Sequence, residues 1–138
     1  MVDPERVRER LSRLEPLLTL LDEVRTAGEQ VYLSASHTTL ATQRALQLAV
    51  QICIDVGAHL IAELGLPPAD DYGGVFSRLD EAGILEADLA DRLRLAAGLR
   101  NLLVHGYADV DDRKVWDALA RLDDLRDFAA AVNRAITD

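Results

Sequence analysis

Residues 45–65 read ALQLAVQICIDVGAHLIAELG, and the spacing of the apolar residues in this stretch decides the fold class. They recur at steps of three and four, which places them along one face of an α-helix. They are Leu46, Ala49, Val50, Cys53, Val56, Leu60, Ile61 and Leu64. Leu48, Ile52 and Ile54 fall on other sides of the same helix. We therefore expect a long helix that is central in the fold or partly covered by a partner and that ends at Gly65.

The same spacing marks the stretches on either side, and helix-ending residues separate them. It predicts a helix from the Asp3-Pro4 cap to Gly28, a short helix between Pro67-Pro68 and Gly83, a helix from Glu86 to Gly106, and a last helix from Asp111 or Asp112 to Ile136. Strand-like alternation is absent from the sequence. We predict an all-α fold, with residues 1–138 forming one bundle of four long helices and one short helix.

Composition and charge restrict the class of protein. Of the 138 residues, 49 % are hydrophobic and 28 % are charged, the balance of a soluble globular domain. The sequence shows neither an uninterrupted apolar run of about 20 residues nor the apolar core of a signal peptide, so we expect a cytoplasmic protein with no membrane span. The net charge of −9 disfavours a protein that binds nucleic acid through its overall field, so any such contact must be local.

The helix that is predicted to end at Gly106 carries an arginine within its apolar stripe. Arg100 shares that stripe with Leu89, Leu93, Ala96 and Leu103. An unpaired guanidinium inside a core is very costly. This end of the stripe must therefore open to solvent, to a carboxylate or to a bound anion.

Two further polar residues lie near Arg100 in the sequence but on other sides of the helix. Asn101 and His105 are four residues apart and are therefore neighbours on an adjacent face. Arg100 and His105 are about 140° apart around an ideal helix, so one straight helix does not bring them together. Either the last turn loosens toward Gly106, or a second copy of the chain completes each site across a two-fold axis.

The string Arg100-Asn-Leu-Leu-Val-His105-Gly-Tyr107 resembles the Arg-x4-His-x-Tyr motif of HEPN domains. It is most similar to the HepT-like toxins that are paired with minimal nucleotidyltransferase antitoxins. The resemblance extends to residues 45–55 with His59, and to residues 62–68, 76–85 and 107–110, so it covers nearly the whole chain. In an all-α chain of this length, the motif followed by Gly-Tyr is more specific than Arg-x4-His spacing alone.

The resemblance implies a metal-independent endoribonuclease that acts as a homodimer, with the two motifs facing each other in a cleft. Cleaving RNA through its own 2′-hydroxyl requires a base, an acid and donors around the phosphorane. Arg100 would hold the phosphate, His105 would act as acid or base, and Asn101 would orient His105 or a phosphate oxygen. With one histidine per motif, a separate acid and base require both protomers or a second group. The position of His105 at the carboxyl end of a helix favours imidazolium, which suits an acid or a phosphate clamp better than a base.

The resemblance also implies a regulatory role for Tyr107. In this family the partner nucleotidyltransferase is thought to transfer AMP to the matching tyrosine, which neutralises the toxin. A bulky anionic group beside Arg100 would block the cleft and cancel its charge. We therefore predict Tyr107 as the modification site, as O-AMP-tyrosine, without requiring it for catalysis.

Asp55 is predicted to support the site, either by facing Arg100 in the cleft or by forming a purely structural ion pair with it. His59, four residues later, is expected to pair on the helix surface or between helices rather than to bind a ligand. Cys53 is expected to be a buried, inert thiol, and Trp116 a packing or interface residue.

The acidic residues near the last helix are interpreted as caps rather than as metal ligands. They are Asp109, Asp111 and Asp112, whose oxygens also suit Mg²⁺. We therefore predict no metal and no cofactor.

Two other functions are compatible with the sequence. One is a noncatalytic module whose dimer binds a nucleotide or presents Tyr107 to a nucleotidyltransferase, and the other is a structural dimer. The net charge favours both, because RNA affinity depends on neutralising phosphates. The complete set of Arg100, Asn101, His105 and Tyr107 favours an RNA-cleaving toxin, with a second copy of the chain, an antitoxin and RNA as its partners.

Overall fold

The structure is a computed structural model that describes residues 2–106 and 110–137. It is 84 % helical, and no β-strand occurs within these two ranges, which confirms the all-α fold class. The helices are α1 Pro4–Ser12, α2 Leu14–Ala27, α3 Glu29–Ser34, α4 Ser36–Glu63, α5 Tyr72–Glu81, α6 Ala87–His105, α7 Asp112–Ala118 and α8 Leu122–Thr137, with a 3-10 turn at Leu119–Arg121 between the last two.

Most helix ends lie where the sequence predicts them. The Asp3 carboxylate accepts hydrogen bonds from the backbone N–H groups of Glu5 and Arg6, which caps α1. Gly65 follows α4 with φ 67° and Gly83 follows α5 with φ 78°. This left-handed conformation costs glycine little and other residues more, so both glycines end their helices sharply.

The predicted first helix is interrupted at Arg13 and forms α1 and α2. Pro16 accounts for the break, because it has no N–H to offer the carbonyl of Ser12 and its ring clashes with that carbonyl. The predicted last helix is also divided, into α7, the 3-10 turn and α8, and nothing in its local sequence explains this. The short α3 occupies a segment for which the sequence predicts no element.

The long helix α4 is central, as its apolar residues predict, and packs against each of the other seven helices. Its predicted apolar stripe is buried except for Leu64, which is 47 % exposed. Cys53 is fully buried, as expected, and burial raises the pKa of its thiol, which disfavours the reactive thiolate. Among the described residues, α4 is also the one helix long and apolar enough to cross a bilayer. However, 56 % of its apolar window is buried, as in the core helix of a globular fold.

A glycine on α4 allows α5 to approach closely. A Cβ atom on Gly57 would lie 2.6 Å from Val75 Cγ1 and 3.2 Å from Leu79 Cδ1. Both of these side chains belong to α5 and are buried. The contact sets the position of α5 and therefore of Tyr72, its first residue, beside the carboxyl-terminal half of α6.

Candidate active site

The apolar stripe of α6 becomes partly accessible to solvent at Arg100, as the sequence predicts. Leu89 and Leu93 in the first half of the helix are buried, whereas Arg100 is half-buried. The side chains that meet the guanidinium come from three helices: Gln51 from α4, Tyr72 from α5, and Asn101 from α6 itself.

These three contacts hold the Arg100 side chain from different directions. Its Nε donates a hydrogen bond of 2.6 Å to Oε1 of Gln51, and its Nη1 donates one of 3.2 Å to Oδ1 of Asn101. Its Cζ lies 4.7 Å from the centre of the Tyr72 ring, within cation–π range. Within the described part of the chain, no acceptor binds the Nη2 hydrogens. That edge of the guanidinium can therefore bind an anion through its remaining donors.

Asp55 is connected to Arg100 through Gln51. Nε2 of Gln51 donates a hydrogen bond of 2.8 Å to Oδ1 of Asp55, so Gln51 lies between the carboxylate and the guanidinium. The structural alternative of a direct Arg100–Asp55 ion pair is therefore wrong. Within the described residues, no carboxylate contacts Arg100 and none neutralises its charge directly.

The expected pairing of His59 is not seen. Asp55 accepts its hydrogen bond from Gln51, and Nε2 of His59 is buried with no hydrogen-bond partner in residues 2–106 and 110–137. His59 therefore remains outside the group of side chains around Arg100.

His105 is the last residue of α6 and is exposed. The helix stays regular to this point, and the N–H of Gly106 donates a 2.7 Å hydrogen bond to the carbonyl of Leu102. Loosening of the last turn, one of the two alternatives for joining Arg100 and His105, is therefore not observed in the described residues. Asn101 binds Arg100 rather than His105.

An exposed apolar ridge runs along α6 on the His105 side. Leu95 is 63 % exposed and Leu102 is 38 % exposed, with the half-buried Leu99 between them. His105 follows Leu102 by three residues, about 60° around the helix. Large apolar side chains grouped in this way are typical of a surface that contacts another chain.

The remaining predicted residues have structural roles or lie outside the described ranges. Tyr107 and Asp109 are outside those ranges. Asp111 caps α7 by accepting a hydrogen bond of 2.9 Å from the N–H of Arg113. Trp116 packs against Tyr32 with ring centroids 5.4 Å apart, which confirms its packing role. The described residues contain no group of three or more His, Cys, Asp or Glu side chains placed to hold a metal ion.

Gln51 and Tyr72 are the site residues that the sequence analysis missed. Gln51 is the polar residue between Val50 and Ile52 in the apolar run of α4, and that interruption was the one available signal. Tyr72 carries no local signal, because its role depends on where α5 meets α6.

A family model and a curated relative match this chain over most of its length. The model of the family described as ribonuclease HepT-like matches residues 7–132. A tRNA nuclease HepT from Aphanizomenon flos-aquae is 31 % identical over 119 residues, which are 86 % of this chain and 81 % of that protein.

Two solved structures share the fold at lower sequence identity. One is the tri-AMPylated HEPN toxin of Shewanella oneidensis in complex with its MNT antitoxin, with a TM-score of 0.86 and 21 % identity over 97 % of this chain and 99 % of that chain. The other is YutE, a cytosolic protein of unknown function from Bacillus subtilis, with a TM-score of 0.84 and 22 % identity over 98 % of this chain and 91 % of that chain.

Proposed function

Because this chain belongs to the HepT-like ribonuclease family, and is therefore an enzyme that cleaves RNA, we propose that it is a metal-independent endoribonuclease toxin. The observation that carries the proposal is the environment of Arg100. An amide, an aromatic ring and a neighbouring asparagine fix the guanidinium, and no described carboxylate pairs with it directly. A fixed cation with free donors is suited to holding a phosphate through reaction.

The proposed active cleft forms between two copies of the chain. Arg100 and His105 lie on different sides of a regular helix, so a single copy does not direct both at one phosphate. The exposed Leu95 and Leu102 lie on the same side of α6 as His105, which supports the packing of a second copy against the His105 side of the helix. The homodimer and its RNA substrate are parts of this proposal.

In the proposed reaction, the 2′-oxygen of the RNA attacks the adjacent phosphorus, and the bond to the 5′-oxygen of the next nucleotide breaks. Arg100 binds the nonbridging oxygens as negative charge develops on them, and the amide NH₂ of Asn101 is available to donate to the same group. The two His105 side chains of the dimer supply the separate acid and base: one takes the 2′ proton and the other protonates the leaving 5′-oxygen. No step requires a metal ion.

The proposed partner is a nucleotidyltransferase antitoxin that silences the enzyme by adenylylating Tyr107. The Shewanella oneidensis relative of similar fold was solved AMPylated and bound to its MNT antitoxin, which supports a partner of that kind. Tyr107 follows His105 by two residues, so AMP on its hydroxyl would add a bulky anion near the phosphate-binding arginine. We place this pair in the cytoplasm, in keeping with the cytosolic YutE.

The net charge of −9 favours a second candidate, a noncatalytic module that binds a nucleotide or serves only as the substrate of its partner. One experiment separates the two functions. The purified, unmodified chain is incubated with several RNAs in EDTA beside the Arg100→Ala, His105→Ala double variant. The ribonuclease predicts cleavage by the wild type alone, whereas the noncatalytic module predicts no difference between the two proteins.

A further inference from the structure

A cavity of about 510 Å³ lies directly beside the Arg100 site, between α4, α5 and the loop that joins them. Its volume is within the range of about 300–1,000 Å³ that is usual for small-ligand pockets. Its wall is mainly aliphatic and includes Ile54, Ile61, Leu66 and Val75. Its lining therefore suits a largely apolar group rather than an ion.

Tyr72 connects this cavity with Arg100. The tyrosine lines the cavity, and its ring also lies 4.7 Å from Cζ of Arg100. It is 41 % exposed even though the guanidinium covers part of it. Asp55, which reaches Arg100 through Gln51, lines the same cavity. A group that occupied the cavity would therefore lie next to a phosphate bound by Arg100.

The charges around the cavity exclude a second phosphate. Its charged residues are Asp55, Asp70 and Asp71, whose carboxylates repel anions and accept hydrogen bonds. The cavity on the other side of Asp55, about 560 Å³, is lined instead by Arg10 and Arg13. The cavity beside Tyr72 thus suits an uncharged ring that carries N–H donors.

From these observations, and resting on the proposed ribonuclease function, we propose that the cavity beside Tyr72 binds the nucleobase next to the scissile phosphate. Tyr72 stacks on the base, as aromatic side chains do in recognising unpaired RNA. The carboxylates accept hydrogen bonds from exocyclic amino groups, as Asp does from the N4 amino group of cytosine. The pocket therefore favours adenine, cytosine or guanine over uracil, which presents two carbonyl oxygens and no amino group.

The test is a thermodynamic cycle that combines substitution of Tyr72 in the protein with removal of single bases from the ligand. The ligand is a short fluorescent RNA with a 2′-O-methyl group at each position, which cannot be cleaved because it has no free 2′-hydroxyl to attack the phosphorus. Each base is removed in turn to leave an abasic site, and binding is measured by anisotropy for the wild type, Tyr72→Leu and Tyr72→Phe. Leu33→Ala, at a residue of α3 with the same 41 % exposure, is the control for a surface substitution.

We expect one position at which loss of the base weakens wild-type binding by about 5- to 150-fold, the range for one stacked base. Tyr72→Leu should weaken binding of the intact ligand by a similar factor and show no further loss when that base is absent. Tyr72→Phe, which keeps the ring, and Leu33→Ala should bind like the wild type. Uracil at the sensitive position should bind more weakly than cytosine.

The proposal is overturned if, at every position, the loss of affinity from Tyr72→Leu and the loss from base removal are independent and their factors multiply. That result would mean that Tyr72 acts only by holding Arg100. Equal binding of uracil and cytosine would overturn the assignment of the carboxylates. Cleavage of ordinary RNA by the wild type, measured in parallel, distinguishes failure of the base pocket from failure of the ribonuclease function. Cleavage without coupling refutes the base pocket alone, whereas absence of both cleavage and binding refutes the ribonuclease function with it.

Discussion

Gln51→Ala is the substitution that most specifically tests how the arginine is held. The change removes the acceptor of the 2.6 Å hydrogen bond from Arg100 Nε and the donor of the 2.8 Å bond to Asp55. It leaves the charge of Arg100, its contact with Tyr72 and its bond to Asn101 in place. The arginine therefore becomes less ordered without being lost.

The size of the effect follows from the type of bond. A hydrogen bond to a charged group contributes about 1.5–3 kcal/mol, and the half-buried position of Arg100 favours the lower end. At about 1.4 kcal/mol for each factor of ten, we expect kcat/KM for RNA cleavage to fall about tenfold. The loss should fall mainly on kcat, because the retained charge still attracts the substrate. The same bond to Arg100 is lost from the folded state, and the better helix propensity of Ala offsets part of that loss, so the free energy of unfolding should fall by about 1 kcal/mol.

The assay is steady-state cleavage of a fluorogenic RNA, paired with urea unfolding of the same preparations. Gln47→Ala is the matched control, since Gln47 is the half-buried glutamine one turn earlier on α4 and makes no hydrogen bond to Arg100. Its kcat should remain within about twofold of the wild type. Unchanged kcat in Gln51→Ala, or an equal loss in Gln47→Ala, would refute the positioning of Arg100 by Gln51.

Three further predictions concern chemistry, regulation and stability. His105→Ala should lower RNA cleavage by about 10²–10⁴-fold with an unchanged unfolding midpoint, because the side chain is exposed, and full activity would exclude it from catalysis. Tyr107→Phe should still cleave RNA yet resist silencing by the antitoxin with ATP. Mass spectrometry should show one or more AMP groups on the wild type and none at this position in the variant. Adenylylation mapped to another residue would contradict the regulatory role of Tyr107. Gly57→Ala should lower the free energy of unfolding by about 1–2 kcal/mol, because the added Cβ meets Val75. Gly98→Ala, whose added Cβ meets nothing within 4 Å, should raise the free energy of unfolding by about 0.5–1 kcal/mol. Equal effects of the two substitutions would contradict the close packing of α4 and α5.

The parts of the site that lie on one helix could be predicted from the sequence. Helical periodicity fixes the direction of Arg100 relative to Leu89 and Leu93, so the opening of the stripe followed from spacing alone. The same geometry established that Arg100 and His105 diverge, and α6 is regular enough for that prediction to hold.

The partners of Arg100 could not be predicted in this way. Gln51 lies 49 residues away on α4, and its contact with Arg100 depends on how α4 and α6 pack. Tyr72 reaches Arg100 because Gly57 lets α5 lie close to α4, which is a packing effect that local patterns do not encode. The break at Arg13, by contrast, could have been predicted from the sequence, because Pro16 interrupts helical hydrogen bonding. The regular spacing of the apolar residues on both sides of it indicated one continuous helix instead.

In the proposed dimer, two copies of the chain form one active cleft in which both His105 side chains act. This arrangement is tested by RNA cleavage in EDTA with a purified heterodimer of one wild-type protomer and one His105→Ala protomer, isolated through two different tags. If the two histidines serve as separate acid and base, cleavage should fall by about 10²–10⁴-fold, close to the loss in the dimer substituted in both protomers. A heterodimer that retains about half of the wild-type activity would show that each protomer works alone, and would contradict the shared cleft.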